Sequence, residues 1–254
     1  MNAPPSFEPD LTPAEYADHV LRDAGRFAAV LDTADLGVDV PSCPGWTLSR
    51  LTEHTGQIHR WATFCVSEGR SPTADEAAAL ETYDPAAAAA WFRAGAAALA
   101  ELLRHVDLRS PAWHPWPTEQ VAGFWPRRQA HETAVHRWDA QHAVGTETPL
   151  DPVLASDGID EYFSAMIPRV VTKPGRELPA GSLHVHCTDV DGEWLVWSDR
   201  DGYHVVREHQ KGDAALRGPA GQLLLRLMGR GDGDDLSPLG DEGVLAGWLA
   251  VQGN

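Results

Sequence analysis

Two stretches of this chain carry acid and imidazole side chains at spacings that suit metal chemistry. One runs from Leu51-Thr-Glu-His54 to His59-Arg-Trp61; the other runs from Arg127 through His131-Glu132 and His136 to Asp139. An α-helix advances about 100° per residue, so side chains four apart share a face and those five apart do not. Glu132 and His136 therefore project together, while His131 points elsewhere. The run looks like a zincin HExxH motif, but its second His comes one position too late for that geometry. A Glu/His pair supplies two ligands, and a zinc site needs at least one more from the protein. His54 is the candidate. It sits within an apolar stripe of Leu48, Leu51, Ile58, Trp61, Ala62 and Cys65, which would turn it toward a core where an imidazole needs a partner. By the same pattern His59 points off the stripe and reads as a surface residue. Asp139, three beyond His136, is placed to orient a liganding imidazole. The spacings equally admit a solvated Glu/His pair on a helix surface and a hydrogen-bonded core His54.

These residues need helices to position them. Thr12-Pro13 reads as an N-cap with Pro at the first helical position, opening a helix to about Asp32. Thr47 caps a second helix, which carries His54 and runs to Gly69. A polar, Ala-rich connection leads to Asp84-Pro85, which starts a third helix with Trp91, Phe92, Leu99, Leu102 and Leu103. A fourth spans Arg127 to Val144 and is ended by Gly145. Residues 107–126 hold Pro111, Pro115, Pro117 and Pro126 among Trp113, Trp116, Phe124 and Trp125, so they form a long aromatic loop that either walls a pocket or packs over the bundle end. Four such helices suggest a bundle, an architecture in which facing helices build metal sites.

Asp151-Pro152 opens a further helix to about Arg169, and the stretch 171–181 reads as a linker. Beyond it the period changes from helical to alternating in Leu183–Thr188, Glu193–Ser198 and Tyr203–Glu208, with hairpin signals at Asp191-Gly192 and Asp201-Gly202. Three antiparallel strands are expected, with Asp213–Arg217 as a candidate fourth and helices over 219–228 and 241–251. His184 and His186, two apart, share one strand face; they either bind metal or line a half-exposed surface. Asp232-Gly-Asp-Asp235 lacks the spaced ligands of a calcium loop and reads as solvated. The expected fold is α+β: a helix bundle over 1–170 and a smaller C-terminal α/β domain on an antiparallel sheet over 182–254.

The chain has 37 acidic and 20 basic residues, a formal charge of −17, which argues against nucleic acid or an anionic membrane as partner. Lys occurs only at 173 and 211, so an Arg held in a cleft would stand out as an anion anchor. No 18-residue apolar run is apparent, and the first residues lack signal-peptide character. A cytoplasmic monomer is expected. Cys43, Cys65 and Cys187 are scattered and odd in number, hence reduced thiols. Cys43, in the turn Pro41–Trp46 ahead of a helix, is either a low-pKa thiol or an ordinary loop residue.

Several motifs together resemble the mycothiol-dependent maleylpyruvate isomerase family. They are Cys43-Pro-Gly-Trp-Thr47 with Leu51-Thr-Glu-His54, then Arg128–Asp139 and Asp157-Gly-Ile-Asp-Glu161. In the second half they are His186–Trp194, Asp213–Pro219, and Leu223 through Gly229-Arg230. The resemblance spans nearly the whole chain and implies a DinB-like four-helix bundle followed by the family's C-terminal domain. It also implies zinc ligands at His54, Glu132 and His136, and a functional Arg from the C-terminal domain at Arg230, with Arg226 as the fallback.

Two imidazoles and one carboxylate would leave zinc a net positive charge and an open coordination position. Nickel, iron(II) or cobalt accept the same donors. The resemblance thus implies an enzyme that binds mycothiol or a similar thiol as its thiolate for addition to a small electrophile, giving an isomer or an S-conjugate, with Arg230 holding a carboxylate and no protein cysteine as nucleophile. Two rivals stand beside it: a hydrolase using zinc-bound water, and a non-catalytic metal-binding or regulatory module.

Overall fold

The computed structural model describes residues 11–80, 82–116, 118–171 and 178–251. Its contacts divide the chain at Pro149/Leu150 into two units. The first contains α1 (Pro13–Leu31), α2 (Leu48–Glu68), α3 (Ala74–Leu80), α4 (Ala88–His105) and α5 (Phe124–His142). Helices α1 and α2 each pack against both α4 and α5, so the four long helices close a bundle.

The expected start and stop residues set these helices. Thr12 Oγ1 accepts from the Glu15 amide at 3.3 Å, and Glu15 accepts from the Thr12 amide at 2.7 Å, a reciprocal cap. Thr47 caps α2, and Gly69 ends it in the left-handed region at φ 70°. Asp84-Pro85 opens a 3-10 turn over Pro85–Ala87 that leads into α4. Two departures have local causes. Residues 74–80, read as a connection, form α3, in keeping with their Ala content. Helix α5 starts at Phe124 rather than Arg127, because Pro126 falls in its first turn, where no amide hydrogen is needed.

By length and composition the stretch 85–105 is apolar enough to cross a membrane, against the expectation of no such run. In the bundle, Phe92, Ala96, Leu99, Ala100 and Leu103 of this helix are buried, and it packs against α1 and α2. The approach of α2 to α4 is close. A Cβ at Gly56 would lie 2.0 Å from the Trp91 ring, so this position excludes any larger residue without movement.

The buried face of α2 is Leu48, Leu51, Thr52, Thr55, Gly56, His59, Ala62, Cys65 and Val66. His59 was expected at the surface and is fully buried; Ile58 and Trp61, assigned to the stripe, are half-buried. Thr52 and Thr55 donate to the Leu48 and Leu51 carbonyls at 2.7 and 2.9 Å, and His59 Nε2 lies 2.9 Å from Thr133 Oγ1. Threonine hydroxyls satisfied by their own helix can occupy a core face, and His59 is held there through Nε2 alone. Helix α5 goes further and is buried on nearly every side, with Arg128, Gln129, His131, Arg137, Asp139 and Gln141 all inside. Arg137, fully buried, donates to Asp23 of α1 at 2.9 Å, to Gln141 at 2.8 Å, and to the Thr148 and Pro149 carbonyls.

The second unit opens with α6 (Pro152–Glu161), capped by Asp151, followed by a π-helical turn over Tyr162–Met166 and by α7 (Ile167–Val171). The expected helix is thus present with a π turn inside it. It packs against α8 (Ala220–Leu227), which places it with the second unit instead of the bundle. Trp194 donates to Asp160 of α6, Arg207 pairs with Asp160 at 2.9 Å, and Tyr162 donates to the Val251 carbonyl at 2.6 Å. Residues 172–177 of the expected linker lie outside the described residues.

The sheet comprises β1 (Ser182–Cys187), β2 (Glu193–Asp199), β3 (Gly202–Val206), β4 (Ala214–Gly218) and β5 (Ser237–Gly240), in the order β3-β2-β1-β4-β5, and α9 (Glu242–Leu249) follows it. The β1–β2, β2–β3 and β4–β5 pairs are antiparallel, and β1–β4 is parallel. The sheet is therefore mixed, a correction to the antiparallel expectation within an α+β fold. Strand β5, Ser-Pro-Leu-Gly, was not anticipated; it is an exposed edge, where a proline is tolerated.

Candidate metal centre

Helix α2 brings His54, and α5 brings Glu132 and His136, to one point. His136 Nε2 lies 3.1 Å from Glu132 Oε1, and His54 Nε2 lies 3.5 Å from the same oxygen. All three donor atoms fall within 4.8 Å of one another. Donors about 2.0–2.2 Å from a tetrahedral zinc are about 3.4 Å apart, so the spacing suits one ion. The two imidazoles meet edge-on, with centroids 5.3 Å apart, and Trp46 flanks His54 at 4.9 Å.

The surroundings divide the work among neighbouring atoms. Arg128 of α5, nearly buried, donates to Glu132 Oε2 at 2.9 Å and leaves Oε1 on the histidine side. Burial alone would raise the Glu132 pKa, but His136, His54 and Arg128 outweigh it and hold the carboxyl well below the usual range. Asp139, fully buried, accepts from His136 Nδ1 at 2.8 Å. That bond fixes the ring and turns Nε2 toward Glu132, the role expected for Asp139. Burial pulls the His136 pKa down, and Glu132, Asp139 and Cys43 together push it well above its ordinary value. A bound metal would displace that proton.

Residues 17–141 match the mycothiol maleylpyruvate isomerase N-terminal domain, and residues 153–247 match the C-terminal domain of the same family. The chain belongs to the mycothiol-dependent maleylpyruvate isomerase family. Two solved structures share its fold. One is the crystal structure of the mycothiol-dependent maleylpyruvate isomerase, 15% identical with a TM-score of 0.54, covering 90% of this chain and 93% of that one. The other is a histidine-to-alanine mutant of that isomerase, 13% identical with a TM-score of 0.55 and the same coverage. Comparison with curated proteins returns no match.

Within this family member, the remaining sequence candidates separate clearly. His131 is buried edge-on to Tyr16, away from the triad as the helical angle requires. His59 is buried against Thr133, and its own burial pushes its pKa down to about 3. Thr133 already donates its one hydroxyl hydrogen to the Gln129 carbonyl at 2.7 Å, so His59 Nε2 is the donor of their shared bond. Arg230 belongs to the second unit, between Gly229 at φ 75° and Gly231 at φ 66°; it is buried and donates to the Met228 carbonyl at 3.0 Å. Arg226, the fallback, is half-buried on α8 beside Gly233.

Cys43 is the residue whose place the sequence left open. Its Sγ lies 3.6 Å from Asp139 Oδ2, and Cys43, Asp139 and His136 form a second donor group overlapping the first. The available signal was its position four residues ahead of the Thr47 cap, in the turn that feeds α2.

Proposed function

We propose that this protein is a metal-dependent, thiol-using isomerase or S-transferase. In this reading His54, Glu132 and His136 hold a divalent transition metal, zinc by donor type, and a low-molecular-weight thiol such as mycothiol serves as the nucleophile toward a small electrophile. The observation that carries it is the shared Glu132 Oε1, on which imidazoles from two helices converge at single-ion spacing. A donor set of two imidazoles and one carboxylate is one short of a closed structural site. Zinc bound there supplies the positive charge that brings a thiol from its usual pKa of about 8.5 into its thiolate form at neutral pH.

The chain's own residues do the rest. Glu132 would be the single anionic ligand, and Arg128 holds its second oxygen so that Oε1 faces the two histidines. Asp139 keeps His136 in one orientation. Arg230 binds a carboxylate of the substrate or of the thiol. When the thiolate adds across a conjugated double bond, that bond becomes single and rotates. Expulsion of the thiolate then gives the isomer with the thiol regenerated, whereas protonation of the adduct gives the S-conjugate with the thiol consumed.

The test supplies mycothiol with maleylpyruvate and then with other conjugated acids, and follows substrate and thiol together. Substrate loss that requires thiol supports the reading, and recycling or consumption of the thiol assigns isomerase or transferase. Turnover indifferent to thiol points to hydrolysis and overturns it.

A further inference from the structure

The second unit gathers another set of donors that this function does not use. His184 and His186 project from the same face of β1, and Glu193 of β2 is register-paired with His186, so its side chain stands on that face too. His209 arrives from the 207–213 connection. Glu193 Oε1 lies 2.8 Å from His186 Nδ1, and its Oε2 contacts His184 Nε2 at 3.2 Å and His209 Nδ1. The three imidazole centroids are 5.5, 6.0 and 6.4 Å apart, and the four donor atoms lie within 4.8 Å of one another.

The topology explains why these donors meet. In the ladder, Val206 pairs with Leu195, Leu195 with His184, and His184 with Ala215, so the end of β3 and the start of β4 lie in one row. The chain from 207 to 213 must then cross β2 and β1, about 14 Å at ordinary strand spacing, and His184 lies in the row it spans, with His186 and its partner Glu193 two residues along the same face. The contacts of His209 with Glu193 show that it crosses on the histidine face. This connection is bridged to the sheet by side chains, and His209 itself is 80% exposed.

We propose that His184, His186, Glu193 and His209 form a divalent transition-metal site of zinc type that staples the 207–213 crossover to β1 and β2. Three imidazoles and one carboxylate complete a tetrahedral shell, so this site is structural and closed. It is independent of the triad in the bundle.

The experiment titrates Zn²⁺, and Co²⁺ as a spectroscopic probe, into the metal-stripped full-length protein and three variants: Glu132→Ala, His209→Ala and the double variant. The proposal expects Glu132→Ala to retain one equivalent with tetrahedral Co²⁺ absorption and a zinc-dependent rise in Tm, and the double variant to lose both. His209→Ala, which alters an exposed side chain, should keep its fold and its thiol-dependent turnover while binding one equivalent fewer than wild type. Equal zinc binding by His209→Ala and wild type overturns the proposal and leaves the triad untouched. Loss of all zinc from Glu132→Ala, with its circular dichroism unchanged, overturns it as well.

Discussion

Asp139 shows how much of the centre lies one bond behind the donor atoms. It is buried, holds His136 Nδ1 at 2.8 Å and lies 3.6 Å from Cys43 Sγ. Asp139→Ala should therefore bind zinc about 10–100-fold more weakly while keeping its fold, as measured by competition with a chromogenic chelator. The cysteines make a separate claim. Burial pushes the Cys65 and Cys187 thiols up to about 12, leaving them unreactive, whereas Cys43 is half-exposed. With the nucleophile brought by the cosubstrate, as proposed, Cys43→Ser should keep thiol-dependent turnover; loss of turnover with metal retained would assign the nucleophile to the chain. His59 titrates in the fold near 3 instead of 6.5, so the unfolded chain binds more protons between those values. Its contribution to stability is complete above about pH 6.5 and falls away toward about pH 3. Urea midpoints over that range should drop more steeply for wild type than for His59→Leu, and parallel curves would contradict the assignment. At this scale helical angle alone places Glu132 beside His136, at 3.1 Å, and turns His131 toward Tyr16. The apolar stripe misplaces His59, whose burial depends on a hydroxyl 74 residues away.

At the scale of elements, capping residues were legible and faces only partly so. Thr12, Thr47, Asp84 and Asp151 all cap where their side chains suggested, because a cap is a contact across a few residues. The buried face of α2 includes Thr52, Thr55, Gly56 and His59, types that an apolar-stripe reading passes over. His54 consequently lies at the margin of the core face, half-exposed, which suits a ligand site better than the buried position expected for it. Helix α5 departs most, since its polar side chains are inside and paired. Arg137 is the clearest case. Burial lowers its pKa and the neighbouring Asp23 raises it, and the pair joins α5 to α1. Arg137→Leu leaves Asp23 buried without this partner and should cost about 3–5 kcal/mol in urea denaturation. A change below about 1 kcal/mol would mean that the pair is dispensable.

The whole molecule combines a bundle whose four long helices follow from local patterns with a sheet whose pairing does not. The hairpins β1–β2 and β2–β3 are announced by Asp191-Gly192 and Asp201-Gly202. The parallel β1–β4 pair joins strands with two others between them in sequence, and no turn residue marks it. Strand β5 has neither alternation nor β-branched residues, so only its partner defines it. The helix at 152–161 looks like the rest of the bundle in sequence, and its packing against α8 assigns it to the second unit. The proposed metal centre lies in the bundle and turns on Glu132, whose Oε1 both imidazoles approach. Metal bound per chain, measured on full-length wild type and on Glu132→Ala after identical zinc loading, tests it most directly. Glu132→Ala, with its helical circular dichroism intact, should carry one equivalent less than wild type and have no thiol-dependent turnover; equal metal in the two proteins would contradict the ligand assignment.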